Sequence, residues 1–88
     1  MDGYYFYVIK TADDKFYAGT SNDYVKRFQA HQARKGAKYT KVLIHHPLKL
    51  IFVQYFDSKG EALSFENKFK KLKRLEKEKY IKEHKNLL

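Results

Sequence analysis

Six consecutive residues, Tyr4-Tyr5-Phe6-Tyr7-Val8-Ile9, are all aromatic or β-branched. Side chains of this kind favour a pleated strand, where their bulk packs against neighbours instead of crowding a helical turn. The run has no polar alternation, so the strand it predicts is buried on both faces. Ala12-Asp13-Asp14 is polar, turn-forming sequence, and Lys15-Phe16-Tyr17-Ala18-Gly19 reads as the return strand of a hairpin. Thr20-Ser21-Asn22-Asp23 clusters residues that cap helices, which predicts a helix from about Tyr24 to Arg34 with Val25 and Phe28 on its buried side. Gly36 stands just past that helix, where a left-handed cap is wanted.

From Lys35 to Pro47 the chain reads as a basic loop, since Pro47 is barred from a helix interior. Leu48 to Phe56 is the third strand, centred on Leu50-Ile51-Phe52-Val53. Ser58-Lys59-Gly60-Glu61 matches a capping box, and Ala62, Phe65, Phe69 and Leu72 behind it recur on one helical face. The helical pattern continues through Tyr80 and Ile81. Lys73 is a poor cap, so one helix or two over residues 61–84 are both open. The predicted fold is α+β: a small three-stranded, mainly antiparallel sheet flanked by helices, in the order β-β-α-β-α with an extra C-terminal helix allowed. Residues 1–88 are expected to form a single domain, with its core at about 4–81.

Composition narrows the function classes. With 43% hydrophobic and 17% aromatic residues the chain can build a core, which argues against disorder. No cysteine is present, so disulfide frameworks and zinc-thiolate sites are excluded, as fits a reducing cytoplasm. Met1-Asp2-Gly3 leads straight into the strand with no signal pattern, and no apolar stretch approaches the ~18–20 residues of a membrane span. A cytoplasmic location without membrane association is therefore expected. The net charge of +9 is unevenly spread. Residues 24–49 hold seven Lys/Arg and no acid, and residues 66–88 hold nine Lys/Arg against four glutamates. An uncompensated basic block suits a polyanion such as a nucleic acid, while a solvated surface of high isoelectric point is the plainer reading.

Candidate chemistry rests on few side chains, because P-loop, dinucleotide, HExxH and nucleophile-elbow motifs are all missing. Strand periodicity puts Tyr5 and Tyr7 on one face, and Tyr17 with Gly19 on one face of the partner strand, so two tyrosines can meet. A strand tyrosine usually only packs, and this chain has eight. Arg27 and His31 are four apart on the first helix and share a side. With Val25 and Phe28 facing the core, both are expected to project from the flank towards the sheet edge or solvent. A guanidinium there suits bidentate phosphate contact, and an imidazole moves protons near neutral pH. An exposed basic helix would look the same. Glu66 borders the apolar stripe of the second helix, either as a surface ion-pair partner or as one hard oxygen ligand of a Mg²⁺ ion that keeps its waters.

Tyr5-Phe6-Tyr7, Tyr17-Ala18-Gly19, Arg27, His31 and Glu66 together resemble the signature of the GIY-YIG nuclease superfamily. The pattern Y-x-G-x-T/S-x-D/N-x-x-x-R-x-x-x-H corresponds to Tyr17 through His31. Gly36-Ala37-Lys38-Tyr39-Thr40, Pro47 and the run from Glu61 to Leu72 match as well. The chain is similar to short stand-alone bacterial GIY-YIG proteins, whose individual functions are mostly uncharacterised. Tyr5, Phe6 and Ala18 depart from the name-giving triplets at backbone or packing positions and leave both tyrosines in place.

The resemblance implies a GIY-YIG fold and a divalent-metal-dependent endonuclease acting on nucleic acid, with DNA favoured and the choice between DNA and RNA open. It places Tyr7, Tyr17, Arg27, His31 and Glu66 in the catalytic set. Glu66 would hold one Mg²⁺ or Mn²⁺ ion and Arg27 would contact the phosphate. Tyr7 would help activate water, with its pKa lowered by Arg27 and the basic segment. Lys26, Arg34, Lys35, Lys38, Tyr39 and Lys41 would line the backbone path, and Gly19 would let the strand approach the helix start. No obligate protein partner is implied. The reading from a different class is a non-catalytic nucleic-acid-binding module that keeps the same fold.

Overall fold

A computed structural model describes residues 3–33 and 46–84. Strand β1 (Tyr4–Lys10) lies at the centre of a three-stranded sheet, between β2 (Phe16–Ser21) and β3 (Lys49–Phe56), and both pairings are antiparallel. The described helices are α1 (Tyr24–Gln32), α2 (Lys59–Lys70) and α3 (Arg74–His84), giving the order β-β-α-β-α-α. The α+β architecture predicted from sequence is the one formed. No helix among the described residues is long and apolar enough to cross a membrane. Gly36, Arg34, Lys35, Lys38, Tyr39 and Lys41 lie outside the described residues.

The unbroken apolar run of β1 is covered from both sides. Phe6 and Val8 point to one face, where they join Phe52, Phe69 and Ile81 under α2 and α3. Edge-on aromatic contacts knit this layer together, with Phe6 5.0 Å from Phe69 and 4.9 Å from Phe65 between ring centres. Tyr7 and Ile9 point to the other face, where Val53, Leu48, Tyr24 and Phe28 surround them. A two-sided core on a central strand therefore sets α1 on one face of the sheet and α2 with α3 on the other.

Three local details differ from the sequence reading. Strand β2 continues through Thr20 and Ser21, which pair with Phe6 and Tyr5. Only Asp23 of the expected capping cluster caps α1, its carboxylate accepting from Lys26 N at 3.0 Å. On α1 itself, Val25 is 51% exposed, while Tyr24, Phe28 and His31 turn inward. The apolar stripe follows the spacing of four and three from Tyr24, because tyrosine brings more apolar surface to the sheet than valine does.

The helical pattern breaks at Lys71–Lys73, and Glu76 makes the break hold. Its carboxylate accepts from Lys73 N at 2.8 Å, the reciprocal half of a capping box with no serine needed at its head. Arg74 then ties α3 to the β1–β2 turn. It donates to the Asp14 carbonyl at 2.8 Å and carboxylate at 3.0 Å, and to Glu78 at 2.8 Å. Its guanidinium also covers the Phe16 ring at 3.8 Å. Asp14 has φ 64°, a left-handed conformation that aspartate tolerates in tight turns.

Candidate active site

Strand register builds the site first. Tyr7 of β1 lies opposite Gly19 of β2, and Ile9 lies opposite Tyr17. Tyr7 and Tyr17 are thus diagonal neighbours on the α1 face of the sheet. Gly19 has a specific cause. A methyl group at position 19 would stand 2.6 Å from Tyr7 Oη and 2.8 Å from its Cζ, so the glycine leaves room for the tyrosine ring to lie across β2. What approaches Gly19 closely is this ring across the ladder, which corrects the expectation that the strand itself nears the helix start.

Helix α1 adds the imidazole. His31 is 0% exposed, and its Nε2 lies 3.1 Å from the Tyr7 hydroxyl. Its ring meets Tyr17 edge-on at 5.2 Å between centres. The expectation that His31 projects towards the sheet edge or solvent is therefore overturned. Position 31 falls on the inward stripe, three residues after Phe28 and one turn beyond it. Arg27, four residues earlier, is exposed and keeps its guanidinium beside the Tyr7 hydroxyl. Lys26 is exposed on the same helix.

Helix α2 brings Glu66, whose side chain is only 13% exposed at the margin of the Phe65–Phe69 stripe. Lys70, one turn on, forms an ion pair with its carboxylate. Lys70 was not among the site residues expected from sequence, although the Glu-x-x-x-Lys spacing carries the signal.

Electrostatics links these groups through Tyr7. Burial pushes the Tyr7 phenol up to about 12, Arg27 beside it pulls the other way, and the neighbouring Tyr17 phenol and Glu66 carboxylate add to the rise. The cations expected to lower this pKa are outweighed, because removing the ring from water penalises the phenolate more than one exposed guanidinium stabilises it. Burial also holds His31 down to about 4, reinforced by the Arg27 charge. Near neutral pH the free protein thus holds a protonated phenol against a neutral imidazole. In the tautomer with its proton on Nδ1, His31 Nε2 accepts the hydrogen bond that the phenol donates.

Among the described residues no group of three or more His, Cys, Asp or Glu is gathered as a metal cluster. A lone carboxylate does not suit zinc or calcium, which take several protein ligands. It does suit Mg²⁺, which commonly keeps most of its waters and takes one or two carboxylates. Glu66, partly shielded and near Tyr7, is the residue that fits.

Residues 3–87 match the GIY-YIG catalytic domain. The chain belongs to the GIY-YIG family. Its domain type places it in a superfamily of nucleic-acid endonucleases. It is 49% identical over 81 residues to a UPF0213 protein of Limosilactobacillus reuteri, covering 92% of this chain and 84% of the relative. It is 48% identical over 85 residues to the UPF0213 protein YazA of Bacillus subtilis, covering 97% and 84%. Among solved structures, the NMR structure of EF2693 from E. faecalis superposes with a TM-score of 0.66 at 36% identity. That of the UPF0213 protein BH0048 from Bacillus halodurans gives 0.61 at 32%. Each covers 93% of this chain and is itself covered to 85%.

Proposed function

We propose that this GIY-YIG chain is a divalent-metal-dependent endonuclease that hydrolyses phosphodiester bonds, in DNA rather than RNA. The observation that carries the reading is the Tyr7 hydroxyl. It contacts His31 directly, lies beside the Arg27 guanidinium and feels the charge of Glu66, so groups from α1 and α2 bear on one oxygen of β1.

Arg27, exposed beside that oxygen, holds the scissile phosphate through its guanidinium fork. Tyr7 and His31 handle the proton as a pair. The attacking water gives a proton to Tyr7 Oη while the phenol passes its own to His31 Nε2. Tyr7 thus remains neutral and His31 becomes imidazolium. A phosphate on Arg27 offsets the charge that helps hold the His31 pKa down, so the imidazole becomes a better acceptor when substrate arrives. Tyr17, edge-on to His31, keeps the imidazole oriented. Glu66 would hold Mg²⁺ or Mn²⁺, and a metal bound there supplies charge stabilisation at the phosphate and leaving oxygen. Lys26 contributes to the backbone path, with Arg34, Lys35, Lys38, Tyr39 and Lys41 proposed for the same role.

The test is a cleavage panel of single-stranded, duplex and branched DNA and of RNA, each with Mg²⁺, Mn²⁺ or EDTA. The expected result is metal-dependent scission of at least one DNA substrate that EDTA stops. The non-catalytic alternative draws on the Lys70–Glu66 pair, which already neutralises the one fitting carboxylate. It expects binding without scission across the whole panel.

A further inference from the structure

Among the described strands β2 lies at an edge of the sheet, and it borders a groove of about 410 Å³ that continues onto α2 and α3. Phe16, Tyr17 and Phe69 are among the side chains lining it, together with Lys15, Lys70, Arg74 and Lys77. Among the described residues four cations and no acid line this groove. Lys70 and Arg74 are paired to carboxylates beyond its rim, and Lys15 and Lys77 supply the rest of its charge. The adjoining hollow on the other side of Arg74 mixes Lys10, Lys49 and Lys82 with Asp14 and Glu78. Arg74 is held by Asp14 and Glu78, which fixes α3 against the hairpin. Lys77, on the next turn, holds its ammonium 5.9 Å over the Phe69 ring.

Two residues join this groove to the site already described. Tyr17 lines the groove and packs edge-on against His31. Lys70 lines it and pairs with Glu66. A polyanion seated at Arg27 and Tyr7 that continued past Tyr17 would enter a channel of matching charge and aromatic walls, the combination that tracks a nucleic-acid backbone.

We infer that the β2-edge groove is a second phosphate-backbone contact surface, on which Lys15 and Lys77 hold the nucleic-acid strand as it leaves the catalytic tyrosines. This rests on the nucleic-acid reading proposed above. It adds a surface built from the hairpin and α3, apart from the basic stretch of residues 24–49. Lys70 serves both regions and stays outside the test for that reason.

The experiment uses the full chain carrying Lys15→Glu and Lys77→Glu, with fluorescence anisotropy of labelled single-stranded and duplex 20-mers in EDTA across a salt series. Affinity should fall at least tenfold. With two fewer phosphates neutralised, the slope of log K against log salt should flatten by about 1.4 on single strands or 1.8 on duplex. Lys15→Arg with Lys77→Arg should keep both at wild-type values. If the charge reversal disturbs the melting curve, Lys15→Ala with Lys77→Ala gives the same reading of slope. Wild-type affinity and slope in the charge-removing variants would overturn the groove while leaving the endonuclease reading intact. A wild-type protein that binds neither oligonucleotide would overturn both.

Discussion

At Tyr7 the ring and the hydroxyl have separable duties, and substitutions can divide them. The ring packs between Val53 and the Gly19 backbone, while the hydroxyl meets His31. Tyr7→Phe keeps the ring and removes the hydrogen bond to His31 Nε2, a loss of about 0.5–1.5 kcal/mol. Chemistry should suffer far more, by ~10²–10⁴ in rate, with nucleic-acid affinity within a few-fold. Denaturant titration and single-turnover cleavage read the two effects separately, and wild-type turnover in Tyr7→Phe would remove the hydroxyl from the mechanism. Gly19→Ala approaches the same oxygen from the opposite strand. The new methyl must displace the Tyr7 ring, which should cost about 1–3 kcal/mol and shift the His31 ring signals in NMR spectra. Their sharing a face follows from the register that pairs Tyr7 with Gly19, whereas that Tyr7 and Tyr17 can meet was legible in the sequence from a period of two on each strand. That a ring lies over Gly19 was not, because a strand glycine signals close approach without saying by what.

Among the elements, α1 is held to the sheet partly through a buried imidazole, and this makes its docking sensitive to pH. The unfolded His31 protonates near its ordinary 6.5, whereas the folded one resists protonation until about 4. Between those values the unfolded chain binds more protons, so stability is full above about pH 6.5 and falls as the pH drops towards 4. The slope reaches about 1.4 kcal/mol per pH unit at most, and equilibrium unfolding of His31→Gln should lack that component. Asp14, held below the usual carboxylate range by Arg74 and Lys10, loses its contribution at lower pH still. On the other face, α2 depends on Phe69, which is buried against Phe6, Phe65 and Tyr80. Phe69→Ala should lower the free energy of unfolding by about 3–5 kcal/mol, seen as a reduced urea midpoint with little change in slope. The stripe of α2 could be read from its spacing. On α1 the sequence placed Phe28 inward correctly and Val25 wrongly, because Val25 and Tyr24 are both plausible core residues on a nine-residue helix and only packing decides between them. The α2–α3 break stays open in the sequence because Lys73 is a poor cap and the capping group, Glu76, sits three residues inside the next helix.

For the whole molecule, the sequence exposes an excess of positive charge and the fold determines where it lies. The +9 net charge predicts salt-sensitive binding to polyanions, with log K falling by ~0.9 per duplex phosphate neutralised. Two-sided burial of β1 brings α1 and α2 to opposite faces of one sheet, and still His31 and Arg27 of α1 and Glu66 of α2 all bear on the Tyr7 hydroxyl. Sequence spacing could nominate Arg27, His31 and Glu66 but not their meeting, since Glu66 follows His31 by 35 residues and the intervening strand sets the geometry. The central claim is that Glu66 acts as a metal-holding carboxylate and not as a partner for Lys70 alone. Glu66→Gln, nearly isosteric, tests this most directly in a cleavage assay run with Mg²⁺, Mn²⁺ and EDTA beside a binding assay in EDTA. A metal-holding Glu66 predicts metal-dependent cleavage by the wild type, loss of at least 10²-fold in Glu66→Gln, and binding in EDTA unchanged or slightly tighter. Wild-type cleavage rates in Glu66→Gln, or a wild type that binds nucleic acid but cuts none of it with either metal, would contradict it.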